Sequence, residues 1–256
     1  MLRTLWTSRS AMNANQEKMN VISNNIVNST TTGYKKVEVG FKDLLTESLD
    51  KKGIPLNDEN ALIGTGAKTT GLYRDNSQGT LQETAINTDL AIDGEGFFKV
   101  INTNGQEAYT RDGSFKIDAL GRLVNSSGSV LELDYIDGYS EANVNFTPNN
   151  ILVDTNGQVF IKELDTFNKV ADIPLYKAIG DNAFLSIGNN LYTPAEGTEV
   201  QRTANADIYQ GMLEGSNVDM AEEMSEMIVT QRAFQLSSKG ITTADEMWQM
   251  INNMRR

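Results

Sequence analysis

The residue types that most often carry out chemistry in proteins are scarce in this sequence. Its 256 residues include neither histidine nor cysteine, which excludes an imidazole base, a thiolate nucleophile and a zinc–thiolate site. Asp112, Asp118 and Asp154 are oxygen ligands of the kind that calcium prefers, but they lack the spacing of a calcium loop with its distal glutamate. No two carboxylates stand out as an acid and base pair. The sequence therefore predicts no catalytic centre, no metal site and no cofactor.

Two glycine-rich segments resemble phosphate loops at first sight. Residues 63–66 read Ile-Gly-Thr-Gly, and residues 93–96 read Asp-Gly-Glu-Gly. A nucleotide site of this kind needs a strand before the loop, a helix after it and a lysine, and neither segment has that context. Turns are therefore the better interpretation of both.

Charge and hydropathy disfavour several classes of binding partner for the chain. Its 22 basic and 34 acidic residues give a net charge of −12, which disfavours binding to nucleic acid or to anionic lipid. No run of 18 apolar residues is present, so we expect no membrane insertion. The first residues lack the apolar region of a secretory signal, so we expect any export to proceed without a cleaved signal peptide. The two ends differ in sign, with +4 over residues 1–36 and −3 over residues 214–256.

Both ends of the chain carry apolar residues at a seven-residue spacing, which predicts long helices. The first set is Leu5, Met12, Met19 and Ile26, and the second is Met220, Met227, Phe234, Ile241 and Trp248. A heptad repeat keeps one face of a helix against a partner helix over its whole length. In the first helix Arg9, Gln16 and Ser23 take the second core position, so the predicted seam is half polar. We therefore expect helices with several neighbours rather than a simple two-stranded zipper.

The middle of the chain has the pattern of short strands and turns. Asn104–Gly105, Ser127–Gly128 and Asn156–Gly157 each lie between apolar runs, a strong signal for β-hairpins. The predicted fold is mixed, with a mainly β centre between long N- and C-terminal α-helices, as antiparallel β-sandwich or partial-barrel domains on a terminal-helix coiled coil. The predicted segments are an N-terminal assembly helix (1–30), a linker with an extended loop (31–62), β-rich central domains (63–215) and a C-terminal assembly helix (216–256).

Several motifs resemble those of one known family. Residues 23–35 (SNNIVNSTTTGYK) are similar to the N-terminal signature of bacterial flagellar rod and hook proteins. Residues 216–234 and 241–245 resemble their C-terminal signature, and residues 91–98 and 109–115 resemble motifs shared by the longer rod proteins and the hook protein. The motifs keep their order over most of the chain. Three shorter segments favour the distal rod branch of the family, namely residues 63–66, 77–79 and 186–192.

The resemblance implies a structural, non-enzymatic role in the basal body of the flagellum, within the cell envelope. Such subunits polymerise through paired terminal helices into a hollow tube that transmits torque and conducts exported subunits. The implied partners are further copies of this chain, neighbouring rod and hook proteins, the rings around the rod and the flagellar export apparatus. The expected interface residues are Leu5, Met12, Met19, Ile22, Asn24, Asn25, Ile26, Asn28, Gly33 and Tyr34 at the N-terminal end, and Met220, Met224, Met227, Ile228, Phe234, Ile241 and Trp248 at the C-terminal end.

Two alternatives remain open at the level of sequence. The chain could be a proximal rod or hook subunit, because residues 46–62 are short for the insertion found in many distal rod proteins. A different class is a β-domain enzyme or ligand-binding protein with a helical stalk. The methionines at positions 220, 224 and 227 do not favour that class, since they are more typical of adaptable packing than of a cofactor site.

Overall fold

Two compact units make up the chain. The computed structural model describes residues 2–44, 46–48, 62–136, 138–141, 143–163, 166–180, 183–203 and 206–254. One unit, here called the helical unit, contains Met1–Val27, Val37–Tyr73 and Asp219–Arg256; the other, the β unit, contains Asn28–Lys36 and Arg74–Val218. Most of the predicted loop at 46–62 and the two terminal arginines lie outside the described residues.

In the part of the helical unit that the structure describes there are two long helices and four strands. The helices are α1 (Leu2–Val27) and α2 (Met220–Met254), and the strands are β1 (Val37–Asp43), β2 (Thr46–Ser48), β3 (Leu62–Gly64) and β4 (Ala67–Arg74). β1 pairs with β4, and β2 pairs antiparallel with β3. Helix α2 begins at an N-cap, because the side chain of Asp219 accepts hydrogen bonds from the backbone N–H groups of Ala221 and Glu222 at 2.8 and 3.2 Å.

The described residues of the β unit form seventeen short strands. They are β5 (Leu81–Glu83), β6 (Leu90–Asp93), β7 (Phe97–Ile101), β8 (Glu107–Thr110), β9 (Lys116–Ile117), β10 (Leu123–Val124), β11 (Val130–Leu131), β12 (Asp134–Tyr135), β13 (Ile151–Val153), β14 (Gln158–Glu163), β15 (Thr166–Asp172), β16 (Leu175–Ala178), β17 (Phe184–Gly188), β18 (Leu191–Pro194), β19 (Val200–Thr203), β20 (Asp207–Gln210) and β21 (Met212–Glu214). Nine of them form a sheet in the order β17-β18-β8-β7-β11-β10-β9, with β16 also beside β7 and β19 beside β16. Four form a second sheet in the order β12-β15-β14-β13, and β20–β6 and β21–β5 are separate pairs.

One large apolar cluster is shared by both larger sheets of the β unit, and a smaller aromatic cluster contains Phe97, Tyr109, Tyr176 and Tyr192. Phe98 and Val100 of β7 belong to the same buried cluster as Val159 and Ile161 of β14. On β14 these side chains alternate with less buried residues, as expected for a strand with one face on a core, whereas β7 also buries Phe97 in the aromatic cluster. Burial of a large apolar side chain stabilises a fold by roughly 1.5–3 kcal/mol, so the large apolar cluster is the main source of stability in the β unit.

The predicted general architecture is confirmed, since terminal helices flank a β-rich body. All three predicted hairpins are present, because Gly105 turns β7 into β8 with φ +76°, Gly128 turns β10 into β11 with φ +78°, and Gly157 turns β13 into β14 with φ +77°. No sheet in the described part of the chain closes into a barrel. One detail of the prediction is wrong: Arg9, Gln16 and Ser23 are exposed rather than at the second position of the seam.

Candidate assembly interface

The two terminal helices pack against each other in opposite directions. Near the start of α1, Ser8 lies so close to Gly240 that a Cβ atom at Gly240 would come within 2.6 Å of the Ser8 hydroxyl. Further along α1, the ammonium group of Lys18 lies 3.1 Å from a carboxylate oxygen of Glu226. Residue numbers therefore rise along α1 while they fall along α2. The small residues at positions 8 and 240 allow the two backbones to approach closely.

The middle residues of the predicted repeat in α2 face the interior of the helical unit. Met227, Phe234 and Ile241 are half-buried, whereas the outer members Met220 and Trp248 are exposed. The fully buried residues of α2 lie between the repeat positions, and they are Glu223, Thr230 and Ala244. The seam within one chain is consequently partly polar and partly small, so it buries less apolar surface than a full zipper.

Helix α1 contributes a similar mixed face. Its predicted apolar positions Leu5, Met12, Met19 and Ile26 are all half-buried, and Ile22 is fully buried. Ala14 and Asn25 complete the buried positions of this helix. The buried residues of α1 thus do not follow a strict seven-residue repeat, because a straight helix of 3.6 residues per turn drifts away from a 3.5-residue repeat.

Both polar atoms of the Asn25 side chain form hydrogen bonds within the helical unit. Its Nδ2 donates to the carbonyl oxygen of Val37 at 2.9 Å and to a carboxylate oxygen of Glu223 at 3.2 Å. The N–H of Val37 donates in turn to Oδ1 of Asn25 at 3.1 Å. The amide thus joins the end of α1, the start of β1 and the first turn of α2. Its neighbour Asn24 is exposed, so the two predicted asparagines have different surroundings.

Replacing Asn25 by alanine is expected to lower the free energy of unfolding of the helical unit by about 1–3 kcal/mol, because the polar groups that it bonds would remain buried without it. Both tryptophans of the chain, Trp6 and Trp248, lie in the helices, so tryptophan emission during urea denaturation reports on this unit. The matched control is Asn24→Ala, for which we expect a change within about 0.5 kcal/mol. Equal changes in the two variants would contradict the assignment.

A second face of α2 is apolar and exposed. Leu236 is 70% exposed, and further large apolar residues recur on the same side of the helix at intervals of three, four, seven or eleven residues: Val229, Met247, Met250 and Met254. Met224 and Ile228, two further predicted interface residues, are exposed as well. We call the set Val229, Leu236, Met247, Met250 and Met254 the outer stripe. Every side chain of the outer stripe is at least 46% exposed.

Gly33 and Tyr34 lie in the β unit, in the segment that follows α1. The N–H of Gly33 donates to the carbonyl oxygen of Glu214 at 2.8 Å, and its φ of +65° lies in the left-handed region that favours glycine. A Cβ atom at this position would come within 2.6 Å of the backbone of Arg111 and Asp112. Tyr34 is buried and Asn28 is half-buried. The end of the N-terminal signature is therefore packed into the β unit rather than projecting from it.

Three charged side chains form a buried cluster in the β unit. The ammonium of Lys35 lies 2.6 Å from Oε1 of Glu214, and Nη1 of Arg111 lies 3.1 Å from Oε2 of the same carboxylate; none of the three side chains is more than 2% exposed. Lys35 also donates to the carbonyl oxygen of Ser77 at 2.7 Å, and Arg111 to that of Gly94 at 2.7 Å. Removal from water lowers the pKa of both Lys35 and Arg111, and the Glu214 carboxylate opposes this shift.

Asn217 joins three passages of the chain within the β unit. Its Oδ1 accepts a hydrogen bond from the N–H of Lys36 at 2.7 Å, and its Nδ2 donates to the carbonyl oxygens of Asp75 and Ser77 at 3.0 and 3.2 Å. The N–H of Asp75 donates to the carbonyl oxygen of Lys36 at 2.9 Å. The sequence reading missed the structural roles of Lys35, Arg111, Glu214 and Asn217. The only available signal was that three of them lie within the family motifs.

The three aspartates that were considered as metal ligands each bond to other side chains of the protein. Asp112 accepts hydrogen bonds from Thr32 and Ser114, Asp118 pairs with Arg122, and Asp154 bonds Asn156. Among the residues that the structure describes, no three acidic side chains come together in the way that would hold a metal ion. Within the same residues no helix is long and apolar enough to cross a membrane.

Three family models match the sequence, and each match contains predicted motifs. Residues 5–35 match "Flagella basal body rod protein", residues 91–161 match "Flagellar hook protein FlgE/F/G D1 domain", and residues 209–254 match "Flagellar basal body rod FlgEFG protein C-terminal". These three matches cover α1 from Leu5 onward with the segment that follows it, the centre of the β unit, and α2 with the segment that leads into it.

Whole-length relatives agree with these matches. The flagellar basal-body rod protein FlgG of Borreliella burgdorferi is 38% identical over 100% of both chains. FlgG of Bacillus subtilis is 35% identical, and the flagellar hook-basal body complex protein FlhP of the same bacterium is 27% identical, in each case over 100% of both chains. The predicted similarity to the distal rod branch is confirmed by the FlgG relatives.

Proposed function

This chain belongs to the family of flagellar basal-body rod proteins, and we propose that it is a structural subunit of the rod that polymerises through its two terminal helices. The observation that carries this proposal is the outer stripe on α2. In a soluble monomer a long series of exposed methionine, leucine and valine side chains on one helix is unfavourable, because it leaves apolar surface in water. Contact with other copies of the chain would remove that surface from water.

The mixed seam between α1 and α2 supports the same function. Glu223, Thr230 and Asn25 occupy buried positions where a two-stranded zipper would place leucine or isoleucine. The seam therefore gives only part of the apolar contact that two helices of this length could make, and the remaining apolar residues of α2 point elsewhere. A helix that contacts several neighbours through different faces has this distribution, and a tube of many helices supplies such neighbours.

The finer features of the proposal come from the family. We propose that helices of successive copies form a coiled-coil tube, that the β units with sandwich-like sheets are carried outside it, and that the tube conducts exported subunits and transmits torque. The proposed partners are neighbouring rod and hook proteins, the rings around the rod and the flagellar export apparatus. The proposed location is the basal body in the cell envelope, reached without a cleaved signal peptide. This role requires no catalytic centre.

Replacing Leu236 by aspartate is expected to abolish assembly while the chain remains folded. Leu236 is exposed, so the new carboxylate stays in water in the monomer but would be buried in the proposed contact, where an unpaired charge is strongly unfavourable. Electron microscopy of purified basal bodies measures rod formation, and circular dichroism measures the fold. Phe234 and Ile26 are less suitable positions because both are half-buried within the chain.

The matched control for this test is Gln235→Asp. Gln235 is the neighbouring residue on α2, is also exposed and is already polar, so rods should form normally in that variant. Normal rods built from Leu236→Asp would show that the outer stripe is not an assembly contact.

A further inference from the structure

An exposed aromatic residue projects from the first turns of α1. Trp6 is 62% exposed, although a tryptophan side chain has a large apolar surface that is usually buried. The guanidinium carbon of Arg9, three residues later on the same face, lies 5.5 Å from the centre of the Trp6 ring. This distance is within the range of a cation–π contact. We call the pair Trp6 and Arg9 the knob; it presents a flat apolar ring beside one positive charge.

A groove with the opposite character lies in the same unit. Its volume is about 510 Å³, and it is lined by Leu5, Ile241, Thr242, Asp245, Glu246 and Gln249. Leu5 and Ile241 are the apolar residues of its lining, and Asp245 and Glu246 add two carboxylates to it. Neither carboxylate forms an ion pair with the described part of the chain. The groove therefore offers an apolar surface beside two negative charges.

The knob and the groove are complementary in both charge and polarity. A volume of about 510 Å³ is large enough for an indole ring, which could contact Leu5 and Ile241, and the Arg9 guanidinium would then pair with the carboxylates of Asp245 and Glu246. The Trp6 ring does not fill the groove of its own chain, because most of its surface is exposed. When one molecule gives its knob to the next and receives a knob from a third, the contact is head-to-tail, and repeating it generates a helical filament wherever the rotation between neighbours does not close into a ring.

We propose that the knob of one copy of this chain docks into the groove of a neighbouring copy, and that this contact sets the head-to-tail order of subunits in the polymer. The inference rests on the proposed function, since it requires that copies assemble through the helical unit. It adds a specific pair of surfaces and a polarity. The partner is a second copy of the chain, because both complementary surfaces are present on the same molecule.

A photochemical cross-link tests the contact directly. A chain with p-benzoylphenylalanine in place of Trp6 keeps an aromatic group at the knob, and it is mixed in equal amounts with unsubstituted chain labelled with ¹⁵N. After assembly and irradiation, mass spectrometry should find cross-links from position 6 of the light chain to α2 peptides around Ile241 and Glu246 of the heavy chain. A cross-link between chains of different isotope content cannot arise within one molecule.

A charge exchange gives an independent readout. We expect Arg9→Glu, and separately the double variant Asp245→Lys with Glu246→Lys, to reduce the fraction of polymerised chain by about tenfold. The chain with all three changes should recover most of this loss, because the opposite charges are again paired. Asn13→Glu, an exposed change one turn further along α1, is the control and should leave assembly unchanged.

The outcomes separate this inference from the proposed function. Heavy–light cross-links to the groove, with recovery in the triple variant, would support the contact. Polymers that form without such cross-links, or cross-links only to other surfaces, would overturn the contact while leaving assembly through the helices intact. Failure of the unsubstituted chain to polymerise under any condition would instead contradict the proposed function itself.

Discussion

The variant Glu214→Ala is expected to lose about 3–5 kcal/mol of unfolding free energy in the β unit, because it leaves Lys35 and Arg111 buried without their shared carboxylate. Both cations have left water completely, and the backbone carbonyls of Ser77 and Gly94 compensate only in part for lost hydration. The N–H of Gly79, which donates to Oε1 of Glu214 at 2.9 Å, would lose its acceptor as well. Hydrogen exchange of the β strands during urea denaturation measures this loss.

Two further variants separate charge from packing at this cluster. Glu214→Gln keeps the size of the side chain and removes its charge, so we expect most of the loss to persist. Glu107→Ala is the surface control, since Glu107 pairs with Lys99 at 2.8 Å but its side chain is 61% exposed, and such a pair contributes about 1 kcal/mol or less. A glutamine variant as stable as the original chain would show that the buried carboxylate is not needed as a charge.

The variant Gly33→Ala is expected to lose about 2–5 kcal/mol in the β unit, for two separate reasons. An alanine is disfavoured at a φ of +65°, and its methyl group would lie 2.6 Å from the backbone of Arg111 and Asp112. Backbone atoms cannot rotate away as a side chain can. The segment after α1 would have to move, which would also disturb the hydrogen bond from Gly33 to the carbonyl oxygen of Glu214.

Gly105→Ala provides the matched control for this prediction. Gly105 has a similar φ of +76°, but a Cβ atom there would meet no other atom within 4 Å. It therefore carries the conformational cost alone, about 1 kcal/mol. The difference between the two variants in urea denaturation measures the close approach at Gly33. Equal losses would show that the packing of this segment has no energetic consequence.

The parts of the fold that the sequence predicts are those with local signals. The helices follow from a seven-residue repeat, and the hairpins at Gly105 and Gly157 follow from a glycine after an asparagine. Each of these signals lies within a few residues of the structure it specifies. The repeat alone does not predict the inward face of α1. Arg9, Gln16 and Ser23 fit a regular seven-residue repeat but are exposed, because the packing of α2 against α1 decides which residues are buried.

The buried charge cluster could not be predicted, for a physical reason. A lysine, an arginine and a glutamate separately have the pattern of solvated surface residues, and burial is unfavourable for each of them alone. Only the fold brings Lys35, Arg111 and Glu214 together. Asn25 and Asn217 are similar cases, since an asparagine in a helical signature gives no indication of which backbone groups its amide will bond. Interactions of this kind depend on contacts between residues far apart in sequence.

The cluster also sets the order in which the chain can fold. Lys35 and Glu214 are separated by 179 residues, and Lys36 and Asn217 by 181. Contacts of such long sequence separation close large loops and slow folding. A chain still emerging from the ribosome lacks Glu214 until more than four-fifths of it has been synthesised. Until then, Lys35 and Arg111 lack the carboxylate that makes their burial favourable. Folding of the β unit is therefore completed only after most of the chain has been synthesised.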